Sequence, residues 1–310
     1  MAPNAQRLTK FIQRYDYPCW CGDAGAGLFC AQMFRRNFAV LRCAACGTHR
    51  ILPRALATDA AALQLYNNPT TRPPERALDV ALIAECSARV VRRIAEVGIR
   101  FEPGMTVVDV GCSVGALVAK IRRLHGCAVF GVDADTAAVA RAREVCPEGT
   151  FLAGLFQEHL GALPAADVVI ASAIIEHVVN PVDFVRDLGR QLKPGGRLFL
   201  LTPNAASRNY AVARTWWRDL LAIGEHIYLF TPESLAQVAA RSGFRVLASA
   251  TDYDPVNVSA DFRSLRGVAL THWSLARNAV LAACRLFPRD HRGDLLYASF
   301  ELVPAPRAQP

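Results

Sequence analysis

One stretch decides the fold class: Val107-Val108-Asp109-Val110-Gly111-Cys112-Ser113-Val114-Gly115. It reads as an apolar strand that ends in a carboxylate, followed by a glycine turn and then by a helical segment that begins at Ala116. This order places backbone N–H groups and a helix N-terminus where a polar ligand can approach closely. We therefore predict a ligand-binding turn between Asp109 and Gly115.

The region around this stretch, from about 104 to 250, alternates short apolar segments with helical ones. Such alternation is typical of a parallel sheet with helices packed on it. The predicted strands are Thr106–Val110, Ala128–Val132, Thr150–Ala153, Asp167–Ser172, Arg197–Thr202 and Arg245–Ala250, with a last strand over Leu296–Val303. Two of the predicted helices are Ala116–Leu124 and Thr136–Val145. We therefore expect an α/β fold.

Two other kinds of site share features with the turn. A dinucleotide site has glycine at the first, third and sixth positions, which here are Gly111, Ser113 and Ala116. The nucleophile elbow of α/β-hydrolases has the pattern G-x-S-x-G, which Gly111 to Gly115 satisfies. That elbow normally follows several strands, whereas the chain before Gly111 offers a cysteine-rich segment and helices. Neither pattern fits the whole region.

The segment from Asp109 to Gly115 resembles the first motif of class I S-adenosylmethionine-dependent methyltransferases. Ser113 stands where that family's signature has its central glycine. A second apolar strand then ends in Asp133. A carboxylate at that place can accept both ribose hydroxyls of a nucleoside, and Asp135 is the second choice for this role.

Later segments match the same family in order. They are Ala166–Ser172, Ile174–Val178, Leu192–Leu200, Phe230–Leu235 and Ser242–Val246. The resemblance covers about 75 to 303 and implies a doubly wound, Rossmann-like sheet of seven strands whose last strand is antiparallel. It also implies S-adenosyl-L-methionine as cofactor, bound by Asp109, Gly111, Cys112, Ser113, Gly115, Asp133, Ala134, Leu155, Phe156 and Ser172.

The sequence departs from the family at two positions. Leu155 stands where the family commonly has an acidic residue beside the adenine, so adenine recognition is left to Phe156, Gln157 or backbone groups. Ala173 stands where some quinone O-methyltransferases place a glutamate that binds a metal. We therefore do not predict that metal site here.

A cysteine-rich module precedes this domain. Of the ten cysteines, five lie between positions 19 and 46: Cys19, Cys21, Cys30, Cys43 and Cys46. Short cysteine turns followed by glycine are typical of zinc ribbons. We predict a structural zinc on Cys19, Cys21, Cys43 and Cys46. Cys30 or His49 is an alternative ligand, because one residue rather than two separates the first pair, and a set of unligated thiols is the competing interpretation.

Two histidines are candidates for a general base. His177 follows the predicted fourth strand, and His226 lies in Gly224-Glu225-His226-Ile227-Tyr228. Imidazole titrates near neutral pH, so it suits proton removal from a methyl acceptor. The competing interpretation for each is a structural histidine.

The distribution of charged residues along the chain bears on the class of substrate that we predict. Residues 1–103 carry 14 cations and 8 anions, so most of the net charge of +8 belongs to the N-terminal part. We predict O-methylation of a small or carrier-linked metabolite, such as a sugar, a phenol or a lipid. The alternative is an RNA- or DNA-directed methyltransferase or nucleic-acid-binding protein that uses the basic cysteine-rich module. The Asn-Pro-Pro-Tyr type of motif is absent after the fourth strand, which disfavours methylation of base amino groups.

The predicted organisation has four parts. A cysteine-rich module covers 1–54, a helical connector 55–103, the methyltransferase domain 104–303 with a helical insert at about 261–287, and a tail 304–310. No apolar run is long enough to span a membrane, and residues 1–17 lack the apolar segment of a secretory signal. A cytoplasmic location is therefore expected, and no oligomeric state is predicted.

Overall fold

The computed structural model describes residues 3–23, 25–34, 36–53, 80–217, 220, 226–253 and 292–303 of the 310-residue chain. The predicted helical insert at 261–287, the tail at 304–310 and the connector before Val80 lie outside the described residues. Among the described residues, no helix is both long enough and apolar enough to cross a membrane.

The helices and strands alternate along most of the chain. In order they are α1 (Pro3–Tyr15), β1 (Ala26–Phe34), β2 (Arg36–Cys43), β3 (His49–Leu52), α2 (Val80–Glu96), β4 (Thr106–Val110), α3 (Ala116–His125), β5 (Ala128–Asp133), α4 (Thr136–Val145), β6 (Thr150–Ala153), β7 (Ala166–Ser172), α5 (Pro181–Arg190), β8 (Leu192–Pro203), α6 (Arg208–Ala213), β9 (Tyr228–Leu229), α7 (Pro232–Arg241), β10 (Phe244–Asp252) and β11 (Leu295–Leu302).

The chain forms two compact units. The first, which we call the cysteine unit, contains residues 1–55, 202–235 and 250–296. The second, which we call the sheet unit, contains residues 56–201, 236–249 and 297–310. Each unit is built from segments that are separated in the sequence.

The cysteine unit is built on a four-stranded sheet with the order β1-β2-β3-β9. The three pairings in it are antiparallel. Because side chains alternate along a strand, the sheet presents two apolar faces. One face packs on α1 and on Tyr17 through Ala39, Leu41 and Leu52. The other packs on the segment around α6 through Phe38, Val40 and Ile51.

The seven-stranded sheet has the order β10-β11-β8-β7-β4-β5-β6. The pairings from β8 through β7, β4 and β5 to β6 are parallel, and β11 runs antiparallel to the rest. The valines of β4, at positions 107, 108 and 110, are buried, as expected for a central strand with both faces covered. The predicted α/β fold with seven strands and an antiparallel last strand is confirmed.

Strand boundaries differ from the prediction mainly in β8. This strand begins at Leu192 rather than Arg197 and includes Pro194, Gly195 and Gly196. Its pairing with β7 shifts register between Ala166 and Val168. The Pro-Gly-Gly segment, which local rules interpret as a turn, thus lies within an irregular strand.

Candidate functional site

The predicted cofactor residues gather at one edge of the sheet. The strands β7, β4, β5 and β6 are neighbours and run parallel, so their carboxyl ends lie at the same edge. In a doubly wound sheet this edge is where ligands bind. Ser172 ends β7, the stretch from Asp109 to Gly115 spans the end of β4, Asp133 ends β5, and Leu155 follows β6.

The turn after β4 presents backbone rather than side chains. Gly111 and Gly115 have φ angles of 80° and 70°, in the left-handed region. A Cβ atom at Gly111 would lie 2.1 Å from Cδ1 of Ile174, so a larger residue would displace that side chain. Gly115 gives α3 no side-chain cap. The first N–H groups of this helix therefore receive no cap from the side chain of the preceding residue, and such groups suit an acceptor outside the helix.

Asp133 is held firmly at the end of β5. Its Oδ2 accepts a hydrogen bond from the Ser113 N–H at 2.7 Å, and its Oδ1 accepts one from the Asp135 N–H at 2.8 Å. These two bonds, one to each oxygen, fix the orientation of the carboxylate at the edge of the sheet. Asp135 instead caps α4, with its carboxylate accepting from the Ala137 and Ala138 N–H groups. The geometry therefore favours Asp133 over Asp135 for binding hydroxyl groups.

Asp109 is a buried carboxyl at the same edge. It is 2% exposed, and within the described part of the chain its Oδ1 has no hydrogen-bond partner. Burial, and to a smaller extent the nearby negative charge of Asp133, raise the pKa of Asp109 to about 7. An unpaired acceptor in the interior is costly, so the position is suited to a donor that the protein itself does not supply.

The loop after β6 contains an acidic group that the sequence analysis missed. Oε2 of Glu158 accepts a hydrogen bond from the Leu155 N–H at 3.0 Å. Leu155 is half-buried, and Phe156 is buried. Glu158 lies three residues after Leu155, which is the spacing of a capping box. That spacing was the available signal for a carboxylate beside this loop.

Four cysteine sulfurs of the cysteine unit form a cluster. The Sγ atoms of Cys19, Cys21, Cys43 and Cys46 all lie within 4.8 Å of one another. The Cys19–Cys46 and Cys21–Cys43 sulfur pairs are each separated by 3.6 Å. Tetrahedral zinc with Zn–S bonds of about 2.3 Å places its sulfurs about 3.8 Å apart. The spacing is therefore close to that of a four-thiolate zinc site.

Two glycine turns shape the cluster. The Gly22 N–H donates to the Cys19 carbonyl at 2.9 Å, and the Gly47 N–H donates to the Cys43 carbonyl at 3.1 Å. Both glycines have positive φ angles, 86° and 76°. The one-residue spacing of the first cysteine pair thus still forms a tight turn that brings both of its sulfurs to the cluster.

Polar contacts favour a thiolate at Cys46. The hydrogen bond with the Cys19 thiol, and then the Thr48 hydroxyl 3.2 Å from the Cys46 sulfur, lower the pKa of Cys46 to about 5. The Trp20 indole N–H donates to the same Thr48 hydroxyl at 2.9 Å and fixes its position. These contacts favour the thiolate form of Cys46, which is the form in which cysteine binds a metal.

The two alternative ligands lie elsewhere in the cysteine unit. Cys30 packs with Phe38 and Trp217 in the apolar cluster around α6. Nδ1 of His49 lies 2.9 Å from the Tyr210 hydroxyl, and burial lowers the pKa of this histidine to about 3. The structure therefore brings the four predicted cysteines together without either alternative.

The two candidate general bases belong to different units. His177 ends a short 3-10 turn after β7 in the sheet unit and is half-buried. His226 lies in the cysteine unit, directly before β9, and is buried. A catalytic role for either histidine stays a prediction.

Comparison with known proteins decides the family. A sequence model described as a methyltransferase domain matches residues 82–249, which is more than half of the chain. The chain belongs to this methyltransferase family. The match includes the turn after β4, Asp133 and both segments that follow β6 and β7.

Two curated relatives of the methyltransferase are ubiquinone biosynthesis O-methyltransferases. The protein from Methylobacterium sp. (strain 4-46) is 32% identical over 165 residues, which are 50% of this chain and 66% of that protein. The protein from Sodalis glossinidius is 38% identical over 116 residues, which are 36% of this chain and 46% of that protein. The chain thus spans less than two thirds of the length of these relatives.

A solved structure supports the fold of the methyltransferase. Mitomycin 7-O-methyltransferase MmcR superposes with a TM-score of 0.52 and 18% sequence identity, covering 77% of this chain and 60% of MmcR. At this identity the likeness concerns the fold alone.

The edge residues of the methyltransferase fit S-adenosylmethionine. The turn from Gly111 to Gly115 presents its backbone at the carboxyl edge, and two backbone N–H groups fix the Asp133 carboxylate beside it. Asp109 adds a buried acceptor, and Leu155 adds apolar surface. The residues present are therefore compatible with a nucleoside such as that of S-adenosylmethionine.

Ser113 of the methyltransferase explains why the family signature has glycine at this position. Its φ of 48° is left-handed, which costs a residue with a Cβ atom about 1–2 kcal/mol. We expect Ser113→Gly to raise the free energy of unfolding by up to about 1 kcal/mol, since the flexibility of glycine in the unfolded chain offsets part of the gain. Denaturant unfolding measures this. Ser113→Ala keeps the Cβ and is the matched control; a glycine variant less stable than the alanine variant would contradict the explanation.

Proposed function

We propose that this methyltransferase transfers the methyl group of S-adenosylmethionine to an oxygen atom of a small or carrier-linked metabolite, such as a sugar, a phenol or a lipid. The observation that carries the proposal is the set of backbone turn, fixed Asp133 carboxylate and buried Asp109 at the carboxyl edge of the sheet. The two ubiquinone O-methyltransferase relatives favour oxygen as the acceptor atom. Because the chain spans only part of their length, the acceptor molecule is not inferred from them.

The residues of the sheet unit bind and orient the methyl donor. When bound, S-adenosylmethionine supplies an electrophilic methyl group on its sulfonium. Asp133 would accept hydrogen bonds from the ribose hydroxyls, and the turn from Gly111 to Gly115 would hold the ligand with its backbone. Methyl transfer is a displacement that needs the acceptor in line with the S–CH₃ bond, so this fixed orientation contributes much of the rate enhancement.

Transfer to a hydroxyl oxygen also requires that a proton leaves the acceptor. His226 and His177 are the proposed general bases, because a neutral imidazole accepts a proton near neutral pH. His226 is buried and His177 half-buried, so both are partly shielded from solvent. A general base normally contributes about 10²–10⁴-fold to the rate.

Replacing the general base should lower kcat with little effect on binding of the methyl donor. We expect at least one of the two variants, His226→Ala and His177→Ala, to show a kcat reduced by about 100-fold or more. The KM for S-adenosylmethionine should be unchanged in that variant. His125→Ala is the control, because His125 ends α3 whereas the cofactor turn precedes the start of that helix. If both variants had the wild-type kcat, neither histidine would be the general base.

We propose that the cysteine cluster holds one structural zinc ion. The sulfur separations of 3.6 Å and the two glycine turns support this assignment. Four thiolates complete the coordination of zinc, so the ion would stabilise the module rather than act in catalysis. A metal-bound thiolate cluster also suits a reducing compartment, in line with the expected cytoplasmic location.

A screen of acceptors tests the proposed function. The full chain is incubated with S-adenosylmethionine labelled in its methyl group and with a catechol, a sugar nucleotide, a lipid extract or structured RNA. We expect label in one of the three metabolite classes and an alkali-stable methyl ether as product. Methylated RNA, together with RNA binding that falls steeply with salt, would instead support the nucleic-acid alternative. Label in no class would count against catalysis by this chain.

A further inference from the structure

Arg50 is a buried cation in the cysteine unit that the proposed chemistry does not use. It lies on β3, opposite Leu41 of β2 and Tyr228 of β9. Leu41 and Leu52 belong to the sheet face that packs on α1 and Tyr17. Because strand residues alternate, Arg50 shares this face with Leu52. The guanidinium is therefore placed on an apolar face with few acceptors.

The contacts of Arg50 satisfy only one side of its guanidinium. The side chain is 1% exposed, and Nη1 lies 3.0 Å from Oδ1 of Asp16. Cζ lies 5.7 Å from the centre of the Tyr17 ring. Within the described part of the chain, Nε and Nη2 are buried and have no hydrogen-bond partner.

The two unpaired nitrogens form one recognition group. The Nε–H and Nη2–H bonds of a guanidinium point in the same direction, as a fork that matches two oxygens of one carboxylate or phosphate. Buried charged donors without acceptors are costly, whereas hydrogen bonds between ionised partners are strong. The fork is thus shaped and charged for an oxyanion.

Asp16 does not already fill this role. Its Oδ1 also accepts the Tyr17 N–H at 2.8 Å, and its side chain is 36% exposed. Tyr17 is fixed in turn, because its hydroxyl donates to the carbonyls of Ile51 and Ile227 at 3.2 and 2.9 Å. Asp16 and Tyr17 therefore hold Arg50 in place. The Nε–H and Nη2–H bonds of its fork are not used in these contacts.

We infer that the Arg50 fork binds an oxyanion, namely a carboxylate or phosphate group carried by a small molecule. The inference involves no residue of the cofactor turn and stands whether or not the proposed methyl transfer is correct. It assigns the cysteine unit a binding role in addition to the one proposed for its cysteine cluster. Carboxylate and phosphate share the geometry that the fork recognises, so the test includes both.

Thermal unfolding of the full chain tests this site. Anion binding raises the unfolding temperature in a saturable manner, so the temperature is followed against inorganic phosphate and against acetate at constant ionic strength. We expect saturation with at least one anion. Arg50→Lys keeps the charge but loses the fork, and should raise the half-saturating concentration about tenfold or more. Arg42→Lys, on an exposed neighbouring position, should leave it unchanged.

Asp16→Asn provides an independent readout if the lysine variant does not fold. It removes the carboxylate that competes for the Arg50 charge while the fork remains, so the half-saturating concentration should fall several-fold. An unchanged value in Asp16→Asn would overturn the inference, as would equal saturation in wild type and Arg50→Lys. If neither anion stabilised the chain in a saturable manner, the inference would also be overturned, because the fork would then bind no oxyanion. The anion with the lower half-saturating concentration identifies the ligand class.

Discussion

Replacing Asp133 with alanine is expected to weaken binding of S-adenosylmethionine by at least about 100-fold. A carboxylate that accepts two hydroxyl hydrogen bonds contributes about 1.5–3 kcal/mol for each of them. Alanine removes both and also releases the Ser113 N–H, which donates to Asp133 at 2.7 Å. Equilibrium dialysis with labelled S-adenosylmethionine measures the ratio of dissociation constants.

A matched control separates this effect from general damage to the sheet unit. Glu144→Ala removes an exposed carboxylate of α4 that pairs with Arg141, and should leave the affinity unchanged. Thermal unfolding of Asp133→Ala verifies that the variant is folded. A folded Asp133→Ala that binds within threefold of wild type would contradict the role given to this carboxylate.

Replacing Cys43 with serine is expected to abolish stoichiometric zinc and to destabilise the cysteine unit. Structural zinc in small domains contributes about 10 kcal/mol or more to folding, and Cys43 lies only 3.6 Å, sulfur to sulfur, from Cys21. Elemental analysis of the purified chain should give one zinc per wild-type chain and close to none in the variant. Removal of the metal by a chelator should lower the unfolding temperature of wild type.

Cys30→Ala is the informative control for the zinc prediction. From the sequence alone, Cys30 was an alternative zinc ligand. In the structure the Cys30 side chain packs in the apolar cluster with Phe38. This variant should therefore retain one zinc per chain. Loss of zinc in Cys30→Ala, or a wild-type chain that contains none, would contradict the assignment of the four-cysteine cluster.

The fold of the sheet unit was predictable because its signals are local. The strands β4, β5 and β6 are short apolar runs, and a carboxylate or glycine marks the end of each, as Asp109, Gly111 and Asp133 do for β4 and β5. Parallel strands place their carboxyl ends at one edge, so the predicted residues were expected to meet. The structure places them after β7, β4, β5 and β6, which are adjacent in the sheet.

The sheet of the cysteine unit was not predictable in the same way. Its strand β9 has only two residues, and it pairs with β3 through His49 and Leu229, which are far apart in sequence. Periodicity over a few residues carries no information about such a distant pairing. The predicted methyltransferase domain therefore included the segment 202–235. In the structure this segment belongs to the unit that contains the cysteines.

Individual polar contacts were also beyond the sequence. The choice among Cys19, Cys21, Cys30 and His49 as ligands depends on which sulfurs the turns bring together. The hydrogen bond between Glu158 and the Leu155 N–H, and the unpaired fork of Arg50, depend on where neighbouring chain segments pass. Residue types and spacing limit such contacts but do not select them.

We propose above all that the edge formed by the turn after β4 and by Asp133 binds S-adenosylmethionine. Calorimetric titration of the wild-type chain with S-adenosylmethionine tests it most directly, because binding requires no knowledge of the methyl acceptor. We expect saturable heat with one site per chain. A folded, zinc-loaded chain that gives no saturable heat would contradict the claim.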